Sequence, residues 1–210
     1  MKAVVDRFLE KNAVISGVGQ SQIGRRLERN GLQLTVDAVQ NALKDAGLST
    51  ADIDGIATWP AHLEDSQPGF SPVSIPALQS ALNLDLNWYN AAAGKESTQM
   101  SALINACMAV ATGQANHVLC FRTMTEASAM AKGVRSSVLG TADNRVSGEF
   151  QWQLPFHAYS AANWIGLVAS AYFKEFDVTR EQMAQIALNG RRNAMLNPNA
   201  IYRDPLTMDD

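Results

Sequence analysis

Cysteine is scarce in this sequence. Cys107 and Cys120 are its two, without any CxxC spacing, and the three histidines, His62, His117 and His157, are scattered. No ligand spacing for zinc results, so no metal site is expected. Long apolar runs are also missing: the opening MKAVVDRFLEKN has charges on both sides of its apolar stripe. It is neither a signal-peptide core nor a spanning helix, and a cytoplasmic location is expected. Basic residues are not in excess, since 17 Lys and Arg against 20 Asp and Glu give a net charge of -3 and a pI near 5.6. That balance argues against a nucleic-acid partner or an anionic membrane surface. No internal repeat is evident.

What is present fits a globular protein. Apolar residues make up 47% and charged residues 18%, and 210 residues suffice for one large domain or a domain with an extension. AVISGVGQ, from Ala13, reads as a short buried strand ending in glycines, and LQLTVDAVQNALKDA carries apolar residues at helical spacing until Gly47 stops it. DIDGIATWP predicts a second strand, SIPALQSALNL a short helix, LNWYNAAA a third strand, residues 97–112 a helix buried on several sides, and HVLCFRTMTE a fourth strand. This β-α-β-α-β-α-β order favours a layered α/β sheet with mostly parallel, right-handed crossovers. Beyond Glu126 the grammar changes. A stretch without clear period precedes two helices, near 158–176 and 179–196, the second opened by Thr179 and Gln182 in capping-box positions. Thr207-Met-Asp-Asp210 is a further helix-start signal with no helix after it, so the chain reads as one that continues in a longer or a separate polypeptide.

Two motifs invite chemistry. Gly17-Val-Gly-Gln-Ser-Gln-Ile-Gly24 follows the first strand, but its third glycine comes two places late for a dinucleotide fingerprint, and it reads as a turn. Lys95-Glu96-Ser97, inside NAAAGKESTQMSALINAC, joins the third strand to its helix, where free N–H groups and the macrodipole favour an anion. Glu96 is there either a cap or a site carboxylate. Cys107 in a helix and Cys120 in a strand read as small hydrophobes rather than nucleophiles. His157 and Tyr159, in QLPFHAYSAANW, precede an apolar helix and could line a pocket mouth, or simply pack.

AVISGVGQSQIGRR, NAAAGKESTQMSALINACMAVATGQANHVLC and TREQMAQIALNGRRNAMLNPNAIYRDPLTMDD together resemble the thiolase superfamily, in its sterol-carrier-protein-thiolase and lipid-transfer-protein branch. The resemblance implies a thiolase-like layered fold, with an N-terminal half at 1–125 and a mainly helical loop domain with a truncated link at 126–210. It places the acyl-accepting cysteine of thiolases at Glu96, which cannot carry an acyl group as a thioester. Ser97 would need a neighbouring base that this chain does not identify.

A group within the same branch also lacks that cysteine and resembles aldolases of steroid side-chain CoA esters. Retro-aldol cleavage needs a base and enolate stabilisation but no acyl-enzyme. The expectation is therefore the N-terminal half of a lyase for a β-hydroxyacyl-CoA, with Glu96 as pocket carboxylate and Ser97, His157 and Tyr159 at the acyl or CoA channel. A non-catalytic acyl-CoA- or lipid-binding scaffold is the alternative, and an acyl-CoA acyltransferase (thiolase) a second. The resemblance further implies a CoA thioester as substrate, no covalently bound cofactor, a homodimer, a separate C-terminal half, and an OB-fold and zinc-ribbon partner of the acyl-CoA hydratase system.

Overall fold

The computed structural model describes residues 9–25, 27–62, 68–92, 98–132, 150–158 and 160–210. Its contacts divide the chain into two units, Met1–Val138 and Leu139–Asp210.

The first unit is a parallel sheet between helices. Helix α1 (Gly31–Ala46) begins at a reciprocal cap: Gln33 N–H donates to Asn30 Oδ1 at 2.9 Å and Asn30 N–H donates to Gln33 Oε1 at 3.0 Å. It stops at Gly47, whose φ of 68° is left-handed, a conformation that costs glycine little. Strand β1 (Gly55–Thr58), helix α2 (Ile75–Leu82), strand β2 (Trp88–Ala91), helix α3 (Gln99–Ala111) and strand β3 (Val118–Phe121) follow. The three strands are parallel in the order β2-β1-β3, with Ile56 opposite both Tyr89 and Leu119.

Side-chain alternation divides the sheet's faces. Ile56 and Leu119 join Val39 and Leu43 of α1 and Leu78 of α2 in the main core. Ile56 and Leu78 are completely buried, each contributing about 1.5–3 kcal/mol. On the opposite face Ala57 packs against Ala102 and Ala106 of α3, with Trp59, Trp88 and Val118 around them. The small residues let α3 approach the sheet closely. Helix α3 is less enclosed than its composition suggests, because Met100, Ile104 and Met108 form an outward stripe at helical spacing and are about half exposed.

The expected first strand, residues 13–20, pairs with no strand among the described residues. It lies on α1 instead. A Cβ on Gly17 would stand 2.5 Å from the Ala42 carbonyl oxygen, and one on Gly19 would meet the Ala38 carbonyl more closely still. Val18 N–H donates to Asp45 Oδ2 at 2.9 Å, and Asn41 Nδ2 donates to the Gln20 carbonyl at 2.9 Å. Between this segment and β3 is a cavity of about 490 Å³, walled by Val39 of α1, Leu103 and Cys107 of α3, and Leu119 and Cys120 of β3. Helices from both faces of the sheet bound it, so the cavity lies in the plane of the sheet, beside the outer edge of β3.

Helix α4 (Glu126–Ala131) follows β3, in a stretch where the sequence shows no clear period. In the second unit, helix α5 (Phe150–Gln153) leads through a 3-10 turn to helix α6 (Ala161–Phe176), and helix α7 (Arg180–Leu196) opens with the anticipated Thr179 and Gln182 cap. Thr207 N–H and Oγ1 both donate to Asp210 Oδ2, at 2.8 and 2.9 Å, forming the cap contacts anticipated at residues 207–210. Among the described residues, no helix is long and apolar enough to cross a membrane.

Candidate functional site

Parallel strands all end at the same edge, and in open α/β sheets ligands gather at that carboxyl edge. Here Thr58, Ala91 and Phe121 are in register there. Thr58 Oγ1 donates to the Phe121 carbonyl at 2.9 Å, and Ala92 N–H donates to the Thr58 carbonyl at 3.1 Å. Three connections leave this edge. After β1 comes Trp59 and a cis peptide to Pro60. After β2 comes Ala92, and the chain is described again from Thr98, whose hydroxyl accepts from Met100 N–H at 3.2 Å as the cap of α3. After β3 comes Arg122.

The Arg122 guanidinium carbon lies 4.8 Å from the Trp59 ring centroid and 4.7 Å from that of Phe70. Burial lowers its pKa from the ordinary guanidinium range, and the charge of Glu126 acts in the opposite direction. Its Nε is buried without a hydrogen-bond acceptor among the described residues. The chain carrying Phe70 is itself anchored. Ser71 Oγ donates to the Pro60 carbonyl at 3.0 Å, His62 Nδ1 is 3.1 Å from the Ser71 carbonyl, and Thr125 N–H donates to the Gly69 carbonyl at 2.7 Å. Gly69 has φ 77°, and a Cβ there would crowd the Thr125 carbonyl at 2.8 Å.

Glu96, Ser97 and Tyr159 lie outside the described residues. By their described flanks, residues 93–97 join β2 to α3. His157 belongs to the second unit, follows the 3-10 turn Leu154–Phe156, is exposed, and has φ 58°. Cys107 is half-buried and Cys120 lines the cavity, where apolar surroundings push its thiol up to about 11 although the cavity leaves its surface accessible. A protonated thiol is a poor nucleophile. Among the described residues, no group of histidine, cysteine and carboxylate side chains could hold a metal ion.

Residues 13–208 match the family model of the thiolase N-terminal domain. The chain belongs to this family. Among curated relatives, a steroid side-chain-cleaving aldolase of Thermomonospora curvata is 29% identical over 199 residues, covering 94% of this chain and 49% of that protein. A 17-hydroxy-3-oxo-4-pregnene-20-carboxyl-CoA lyase of Mycobacterium tuberculosis is 28% identical over 206 residues, covering 97% of this chain and 51% of that protein. A solved Ltp2-ChsH2(DUF35) aldolase is similar in structure with a TM-score of 0.76 at 29% identity, over 93% of this chain and 47% of that one. This thiolase N-terminal domain thus spans about half the length of the relatives that it matches.

Sequence reasoning passed over Arg122, Trp59 and Phe70. The signal for the first was a lone cation in the otherwise uncharged VLCFRTMT, just where an apolar strand ends.

Proposed function

We propose that this chain is the N-terminal half of a thiolase-fold lyase that cleaves a β-hydroxyacyl-CoA, a steroid side-chain CoA ester, by a retro-aldol reaction. One observation carries the reading: a thiolase N-terminal domain without a cysteine between β2 and α3 has, as relatives over nearly its whole length, proteins named as a side-chain-cleaving aldolase and as a carboxyl-CoA lyase. A base removes the proton of the β-hydroxyl, whose electrons form the product carbonyl as the Cα–Cβ bond breaks. The released pair becomes the thioester enolate, and protonation at Cα gives the shortened CoA ester. No acyl-enzyme forms. Glu96 is the proposed pocket carboxylate, with Ser97, His157 and Tyr159 along the acyl or CoA channel.

A C-terminal half completes the site in this reading. Among the described residues β3 is an edge strand beside a cavity, which supports it, as do the exposed Leu167 and Val168 of α6 and Ile186 of α7. We further place a homodimer and a small OB-fold and zinc-ribbon partner with this protein, in the cytoplasm. Unpaired Cys107 and Cys120 suit that reducing compartment, and the Ltp2-ChsH2(DUF35) name of the solved neighbour supports the partner.

The test is incubation of the protein, joined by its C-terminal half, with a β-hydroxyacyl-CoA and chromatography for ketone or aldehyde plus the shortened CoA ester. Binding without turnover would replace this reading with a non-catalytic acyl-CoA carrier.

A further inference from the structure

Arg122 follows β3 on the parity of Val118, the face of the sheet against which α3 packs, and Trp59 packs beside Ala57, Ala102 and Ala106 on that same face. It leaves the carboxyl edge of the sheet, the end at which α3 also begins. Among the described residues it makes no ion pair, and its Nε has no acceptor. With aromatic rings against the guanidinium at 4.8 and 4.7 Å, the in-plane N–H edge is what remains for hydrogen bonding. The arrangement is a partly desolvated guanidinium held between two aromatic contacts, with a buried Nε–H that has no acceptor among the described residues.

We propose that Arg122 receives the thioester oxygen of the bound CoA ester and stabilises the negative charge that gathers on it as the enolate forms. The assignment rests on the lyase reading above and adds the oxyanion donor that reading lacks. A partly desolvated guanidinium suits an oxygen that becomes charged during the reaction better than a phosphate. A phosphate brings a full hydration shell that must be stripped before any contact is made. The aromatic rings add rigidity, holding the donors where the charge will appear and limiting competition from water.

Calorimetric titration of the protein joined by its C-terminal half with two ligands separates the possibilities: S-carboxymethyl-CoA, whose carboxylate stands for the enolate, and S-ethyl-CoA, which lacks the oxygen. The unmodified protein should bind the carboxymethyl compound roughly tenfold more tightly or better. Arg122→Gln should erase that preference while leaving S-ethyl-CoA affinity within about twofold, which also reports that the variant is folded. Arg122→Lys, which keeps the charge but not the planar fork, should retain only part of the preference. A preference that survives in Arg122→Gln overturns the assignment, and so does an equal loss for both ligands in Arg122→Gln and Arg122→Lys. If the unmodified protein binds both equally, Arg122 is not the oxyanion donor and the lyase reading stands. If it binds neither, the CoA-ester reading itself falls, and this assignment falls with it.

Discussion

The Asp54 carboxylate and Asn116, 62 residues apart in sequence, tie the start of β1 to the start of β3: the Asn116 backbone N–H donates at 2.8 Å and its side-chain amide at 2.7 Å. His117 N–H adds a third donor at 2.9 Å. Removing the carboxylate leaves these donors without their acceptor. Asp54→Ala should therefore lower stability by about 1–3 kcal/mol in chemical denaturation. An unchanged midpoint would mean that water serves these N–H groups equally well.

The same carboxylate makes stability depend on pH. Burial acts to raise its pKa, but hydrogen bonds from His117 and Asn116 outweigh burial and hold it below the ordinary 3.8. A lowered folded-state pKa contributes stability that is fully present above 3.8 and is lost as pH falls through the folded value. Thermal melts across the acid range should lose less on acidification in Asp54→Asn than in the unmodified protein. Parallel curves for the two would remove Asp54 as the source.

Gly19 seats residues 13–19 on α1, where a Cβ would collide with the Ala38 carbonyl and the backbone of Ala42. Gly19→Ala should cost about 1–3 kcal/mol through overpacking. Hydrogen exchange at Val18 N–H, which Asp45 holds, should accelerate. Slow exchange retained in the variant would show that α1 yields instead.

Cys120 should react slowly with iodoacetamide at neutral pH and faster only as pH approaches about 11, because its apolar surroundings disfavour the thiolate. Cys120→Ser should leave turnover of the completed enzyme within about twofold, as expected of a residue outside the chemistry. A loss of activity comparable to that of a missing nucleophile would return thiol chemistry to this protein.

Glu96→Gln removes the charge while keeping the size. If the carboxylate takes part in proton transfer, turnover should fall by about a hundredfold or more, measured as product CoA ester per minute. Unchanged turnover would remove Glu96 from the chemistry, Thr98 being the cap of α3.

Much of this was legible in the chain itself. Asn30 with Gln33 and Thr179 with Gln182 form caps because side-chain oxygens three residues from free N–H groups reach them whatever surrounds the helix. The short apolar runs at β1, β2 and β3 and the helices between them follow from periodicity, and the absence of cysteine between β2 and α3 is a fact of sequence. So is the family, which the words around Glu96 and Thr179 already carried.

Pairing was decided elsewhere. AVISGVGQ has the composition of a buried strand, yet a strand needs a neighbour, and Gly17 and Gly19 give this segment to α1 while leaving a cavity between it and β3. Met100, Ile104 and Met108 match the apolar pattern of a buried helix, yet the sheet covers only the alanine face of α3. Arg122 meets Trp59 and Phe70, far from it in sequence, because parallel strands end together and bring their following loops to one edge. Local hydrogen bonds and spacing are properties of the chain, and so the sequence determined them. Which edge is covered, and which aromatic rings a cation meets, depends on contacts between distant segments, and only the tertiary structure decides those.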